Sequence, residues 1–276
     1  MTSPHPGTAA TANEVWYDSL PPGEYLEGAP HLKHRSLRAL YSQLVERVFR
    51  LAARHESKPR VLDLGAGEGS ATIPFLALGA RVTAVDISAR QLEGLSKRCA
   101  AYGPNLEQQC GDAAAVIERI RHSIARYDVV VANSFLHHVP DYVALLRDVV
   151  PTLSSHGIIF SFQDPLPFRR LGLLTRVFGA IGYFAWRFGQ GDLAGGIMRR
   201  TRRTLGVYRA DSQEDNAEYH VVRAGVDERL IEGELRKLGF QIEIVLYFSA
   251  QLALWQWLGT AMGLENTFAV IATRDA

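Results

Sequence analysis

The stretch Arg60-Val61-Leu62-Asp63-Leu64-Gly65-Ala66-Gly67-Glu68-Gly69-Ser70 constrains this chain more than any other. Val61, Leu62 and Leu64 have the near-continuous apolar character of a buried parallel strand. Gly65, Gly67 and Gly69 then admit positive φ and let a ligand approach the backbone with no Cβ in the way. A helix opening directly after them would aim its unpaired N–H groups at that ligand. The stretch therefore reads as a strand ending in a ligand-cradling loop, a unit that belongs in an α/β sheet.

The rest of the chain follows that rhythm. Apolar residues at Leu37, Leu40, Tyr41, Leu44, Val48 and Leu51 predict an amphipathic helix from His34 to Leu51. A helix through Phe75 to Leu78 stops at Gly79, and Arg81 to Asp86 forms a second strand ending in an acid. Ser88-Ala89-Arg90-Gln91 has the pattern of a capping box. Further strands are expected at Leu106 to Cys110, Tyr127 to Asn133 and Gly157 to Gln163, with helices from Ala113 to Ile124 and Val139 to Leu153. Such alternation argues a doubly wound, Rossmann-like, mostly parallel sheet whose ligands sit at the C-terminal strand ends. After an insertion, Asp227 is placed to N-cap a helix ending at Gly239. Two last strands, Phe240 to Phe248 and Asn266 to Thr273, complete seven, the final one antiparallel.

With 276 residues this is expected to be one elaborated domain. Its parts are an N-terminal tail and cap helices (1–57), a ligand-binding core (58–165), a helical insertion (166–225) and a C-terminal part of the sheet (226–276). Met1 to Asn13 is Thr/Ala/Pro-rich without a basic start or apolar core, so it reads as a disordered leader and not a signal peptide. A formal charge of +1 provides no global field for nucleic acid. Cys99 and Cys110 have neither metal-ligand spacing nor the number for a disulfide framework, which fits a reducing cytoplasm.

A dinucleotide fingerprint wants G-x-G-x-x-G, but its third glycine position is Ser70 here. The D-x-G-x-G-x-G form from Asp63 to Gly69 instead resembles motif I of class I S-adenosylmethionine-dependent methyltransferases of the small-molecule, natural-product or quinone-biosynthesis type. The resemblance extends over about Leu62 to Gln163. It implies that Asp63, Gly65 and Gly67 organise the loop under the methionyl part of the cofactor. Asp86, followed by Ile87, would accept both ribose hydroxyl protons. Asp112 and Ala113 would bind the adenine edge, and the segment from Asn133 and Ser134 to Asp141 would close over the methionyl group. Tyr17 is a further candidate for covering the cofactor carboxylate, or else a core aromatic. Glu68 either touches the cofactor or is solvated.

Methyl transfer from a sulfonium is an in-line displacement, so much of its rate comes from alignment. An oxygen or nitrogen acceptor can still need a base, and His138 and His137 lie at the correct end of the sheet for one. Helix capping and core packing are the competing roles for the two histidines, with Tyr25 and Tyr183 as alternate bases. Lacking a strong base constellation, the sequence tilts toward carbon methylation. No metal is expected, because Asn133 stands where metal-dependent relatives place a carboxylate.

In this family an insertion after the fifth strand forms a lid over the acceptor. Here it carries a heavily apolar run from Leu171 to Phe188, with Phe168, Tyr183, Phe184 and Trp186 as candidate contacts for a hydrophobic, prenylated or polycyclic acceptor. Nine arginines against the single acid Asp192 surround that run, so an anionic acceptor or weak contact with a membrane surface stays open. Arg176, Arg187 and the run's glycines make it a poor transmembrane span. Subunit contacts are expected through the N-terminal segment or the lid. The rival readings are an NAD-type oxidoreductase and a non-catalytic membrane-surface protein.

Overall fold

The computed structural model describes residues 6–21, 23–123, 126–207, 213–217, 219–222 and 225–274. Four helices come first: α1 (Pro6–Ser19), α2 (Glu24–Gly28), α3 (Pro30–Lys33) and α4 (Arg35–Ala52). The alternating core then runs β1 (Arg60–Leu64), α5 (Thr72–Ala77), β2 (Arg81–Asp86), α6 (Ala89–Arg98), β3 (Leu106–Cys110), α7 (Ala113–Ile120), β4 (Tyr127–Asn133), α8 (Tyr142–Val149) and β5 (Leu153–Pro165). The insertion contributes α9 (Leu173–Gly189), α10 (Leu193–Leu205), α11 (Gln213–Ala217) and α12 (Tyr219–Val222). The chain closes with α13 (Glu228–Lys237), β6 (Phe240–Tyr247), α14 (Ala253–Ala261) and β7 (Thr267–Arg274).

All seven strands form one sheet in the order β3-β2-β1-β4-β5-β7-β6. Pairs from β3 across to β5 are parallel, and β7 runs antiparallel to both neighbours. Strand order reverses between β1 and β4, which is where an open α/β sheet leaves a crevice at its C-terminal edge. Side-chain alternation sends Val61, Val82, Val129 and Phe160 to a core shared with α4, α5 and α6. Leu62, Val85, Val130 and Ile159 point the other way, toward α7, α8 and α13. Each fully buried Phe or Leu in these layers contributes about 1.5–3 kcal/mol.

The helix signals are realised in atoms. Asp227 Oδ1 accepts from the N–H groups of Arg229 and Leu230 at the start of α13. Strand β5 is longer than its apolar run suggests, and its pairing with β7 slips by one residue at Gln163, whose φ is +71°.

One expectation is overturned at the N-terminus. From Pro6 onward the supposed leader is helix α1, whose small Ala9 and Ala12 are buried and which packs on α11 and α6. Proline suits the first position of a helix, and alanines let two helices approach closely. Small residues carry no apolar periodicity, so the segment looks structureless when read alone. Met1 to His5 lie outside the described residues.

Helix α9 rests on α14 through Trp255, whose Nε1 donates to the Phe178 carbonyl at 3.2 Å. A Cβ on Gly182 would stand 2.3 Å from Trp255 Cδ1. Gly182→Ala is therefore expected to destabilise by about 1–3 kcal/mol through overpacking, although alanine normally improves a helix interior. Thermal unfolding decides the sign; a raised melting temperature would count against this contact. No helix among the described residues is long and apolar enough to cross a membrane.

Candidate active site

A cavity of about 500 Å³ opens at the C-terminal edge of the sheet, over the β1/β4 crevice. Its floor is the glycine loop. Gly65 and Gly67 line it with φ of +70° and +53°, a region that favours glycine. Behind Gly65 stands Phe135, which a Cβ there would meet at 2.3 Å. Val85, Asp86 and Ile87 form one wall, Gly111 to Ala114 a second, and Asn133 to Phe135 with His138 to Asp141 a third.

Asp86 is held by the backbone. Its Oδ2 accepts from the Gly67 N–H at 2.7 Å and its Oδ1 from the Ser88 N–H at 2.9 Å. A carboxylate has about four acceptor sites, so lone pairs remain for a vicinal diol. Burial pushes the Asp86 carboxyl above its usual range, opposed by these two N–H donors. Ser88 caps α6 by accepting from the Gln91 N–H, but the capping box is not reciprocal. Gln91 instead turns its Nε2 to the Tyr17 carbonyl at 3.2 Å, fastening α1 over the site.

Asp63 is seated one layer below the cavity and does not line it. Its Oδ2 accepts from Thr72 Oγ1 at 2.6 Å, which ties β1 to the start of α5, and its Oδ1 is buried without a partner among the described residues. Burial, aided by the nearby Asp86, pushes its carboxyl to about 7. From there it supports the loop, tying the strand before it to the helix after it. Glu68 is neither solvated nor in the cavity: both its oxygens accept from the Gly23 N–H, at 2.9 and 2.8 Å, and Arg98 lies 3.5 Å away. Asp112 lines the cavity while its side chain N-caps α7, accepting from the Ala115 N–H at 3.1 Å. Ala113, next to it, lines the same wall.

The two histidines have different partners. His137 faces away from the cavity, with Nδ1 2.8 Å from Asp164 Oδ1. Burial raises the Asp164 carboxyl, opposed by His137. His138 lines the cavity, and its Nδ1 lies 2.6 Å from the Ala217 carbonyl. A carbonyl only accepts, so Nδ1 carries the proton and Nε2 is the acceptor for Tyr17 Oη at 3.0 Å. Burial, together with neighbouring His137, pushes His138 well below 6.5.

The lid aromatics are placed elsewhere. Phe168, Tyr183, Phe184 and Trp186 do not line this cavity; an arginine guanidinium lies within 6 Å of each ring. The Arg200 guanidinium lies 5.6 Å from Phe168, 5.7 Å from Tyr183 and 5.8 Å from Phe184. Arg187 lies 4.6 Å over Trp186. The rings and cations satisfy one another and tie α9 to α10. Several lid arginines also meet acids from beyond the apolar run: Arg170 reaches Asp227 and Glu228, and Arg202 reaches Asp215. Arg209, the side chains of Arg199 and Arg203, and that of Tyr25 lie outside what the structure describes.

What the sequence reading missed is the roof. Ala10, Thr11, Asn13 and Glu14 of α1 line the cavity beside Tyr17, as does Gln91. Among the described residues no group of three or more His, Cys, Asp or Glu is arranged to hold a metal ion.

A family model for a methyltransferase domain matches residues 33–205, more than half of the chain. The chain belongs to the methyltransferase domain family. Among curated relatives, a ubiquinone biosynthesis O-methyltransferase of Methylocella silvestris is 29% identical to this methyltransferase-family chain over 131 residues, covering 45% of the chain and 50% of the relative. Its counterpart in Idiomarina loihiensis is 31% identical over 101 residues, covering 37% and 40%. The chain thus spans about half or less of the length of these relatives. Over the whole fold, the methyltransferase-family chain is similar to magnesium protoporphyrin IX methyltransferase from Synechocystis PCC 6803, solved with bound SAH, with a TM-score of 0.57 at 17% identity over 97% of this chain and 100% of the other. It is equally similar to the [4+2]-cyclase SpnF, with a TM-score of 0.57 at 13% identity over 97% and 96%. The fold by itself therefore does not select methyl transfer, and the side chains of the site must carry that reading.

Proposed function

We propose that this cavity binds S-adenosylmethionine and that the protein transfers its methyl group to a hydroxyl of a hydrophobic small molecule. The residues present fit the cofactor. Asp86 offers lone pairs to the ribose diol, and the glycine loop leaves room beneath the methionyl arm. The described lining holds Glu14, Asp86, Asp112, Asp141 and Asp148 but no Lys or Arg, which suits a ligand bearing sulfonium and ammonium charges. When bound, the cofactor supplies an electrophilic methyl group on a good leaving group.

The observation that carries the choice of oxygen is the bond from Tyr17 Oη to His138 Nε2 on the cavity wall. The sequence alone showed no strong base constellation and tilted toward carbon; this pair shifts the balance. As Tyr17 gives its proton to Nε2, its oxygen takes one from the acceptor hydroxyl, leaving the proton on His138. The names of the curated relatives support an oxygen acceptor. The apolar walls from Val85, Phe135, Val139 and Leu145 support a hydrophobic one.

Calorimetric titration with S-adenosylhomocysteine tests the cofactor reading. Saturable one-to-one binding is expected, and a protein that binds NADH instead would sink it. With labelled S-adenosylmethionine and phenolic acceptors, the label is expected in methoxy groups and not on ring carbon.

A further inference from the structure

We propose that Asp164 is a positioning residue for the base: through His137 it fastens the turn that carries His138 to the end of the sheet. The inference rests on the reading of His138 as proton acceptor and adds a residue that lies behind the cavity wall. Asp164, in β5, is fully buried and does not line the cavity; His138 does.

The segment between β4 and α8 is short and bent. Ser134 leaves β4 with a φ of +53°, a conformation uncommon for a residue with a Cβ. Its N–H donates to the Phe162 carbonyl of β5 at 2.6 Å. A single helical turn, Leu136–His138, follows. The turn closes on itself through the His138 N–H, which donates to the Phe135 carbonyl at 3.0 Å, and this bond fixes nothing relative to the sheet. Asp164 does that. Its Oδ1 accepts from the His137 N–H at 3.1 Å and from the His137 ring Nδ1 at 2.8 Å. One carboxylate oxygen therefore sets the main chain and the imidazole of the same residue together.

The His137 ring passes that constraint on. Its centroid lies 4.0 Å from that of His138 with the planes tilted by 44°, so the first imidazole buttresses the second. The hydrogen bonds of the His138 ring go to Tyr17 in α1 and Ala217 in α11, both outside the sheet. Asp164 and His137 tie the base to the sheet whose β1 ends in the glycine loop. Transfer needs the acceptor oxygen and the methyl carbon held in line, and so a base held in the same frame as the cofactor.

Packing alone does not ask for an acid here. Burial raises the Asp164 carboxyl, and its Oδ2 is buried without a partner among the described residues. Such a placement is costly. It is explained by the turn that the other oxygen holds.

The experiment is a double-mutant cycle read as kcat with labelled S-adenosylmethionine and a phenolic acceptor. Asp164→Ala alone is expected to lower kcat by about 10–100-fold, with S-adenosylhomocysteine affinity unchanged by calorimetry. In a His138→Ala background the same substitution is expected to cost nothing further, because a residue acting through His138 has nothing left to act on. Asp164→Asn, which keeps an acceptor oxygen, is expected to recover most of the rate. Should Asp164→Ala fail to fold, His137→Ala, which removes the ring that the carboxylate holds, must show the same dependence on His138. A loss of equal size in both backgrounds, no loss in either, or a parallel fall in S-adenosylhomocysteine affinity overturns the inference. A rate unchanged by His138→Ala overturns the reading of the base, and the inference with it.

Discussion

Asp86→Ala weakens S-adenosylhomocysteine binding by about 100-fold or more, and calorimetry reads the loss directly. Two effects add. The carboxylate can accept from both ribose hydroxyls, and hydrogen bonds to a charged group are each worth roughly 1.5–3 kcal/mol. The same carboxylate accepts from the Gly67 N–H, so its removal also loosens the cradle. Asp86→Asn keeps one acceptor and loses less. Because burial raises the Asp86 carboxyl, affinity falls as the pH drops through that raised value and the group takes a proton. An alanine variant that binds like the wild type removes the central support for the cofactor site.

His138→Ala lowers kcat by about 10²–10⁴-fold if the proton of the acceptor is delivered to Nε2. Cofactor affinity should change much less, because the histidine meets Tyr17 and Ala217. Tyr17→Phe breaks the same path at its first oxygen and gives a large loss as well. The pH profile carries a second check. A histidine pushed below 6.5 stays unprotonated, and so able to accept, as the pH falls through 6.5. The acid limb of the wild-type profile is therefore expected below that value and absent from the alanine variant. A rate indifferent to both substitutions means that no proton leaves the acceptor before or during transfer. Carbon methylation then becomes the better reading. Thermal unfolding of each variant separates chemistry from collapse, because His138→Ala leaves a buried carbonyl without its donor.

The glycine-loop side of the cavity was readable in the sequence because its demands are local. Gly65 and Gly67 need positive φ, Asp86 needs to end a strand, and Ser134 needs to follow one; each leaves a mark within a few residues. Seven strands and their order of direction followed from the same alternation. The roof of the cavity and the packing of the insertion were not readable, for two physical reasons. Helix α1 packs through alanines, which bury little area and show no period, so its place over the cavity is decided by tertiary contact. The lid aromatics have the composition of a hydrophobic pocket, but composition does not say which way a ring faces. Arg200, Arg176 and Arg187 take those faces. Partners far apart in the chain, such as Tyr17 with His138 and His31 with Asn133, leave no local trace at all.

The slipped pairing at Gln163 has a reach beyond its own residue. Phe160 and Phe162 point into the core beneath α4, whereas Leu166 belongs to the opposite core with Leu136. All three are even-numbered, so an uninterrupted strand would send them the same way. The extra residue swaps the facing of everything after it and delivers Asp164 to His137, on the Leu136 side. Chain length at this strand end is thus an instruction in its own right. Deleting Gln163 would keep every other side chain of the strand and still cost His137 its partner.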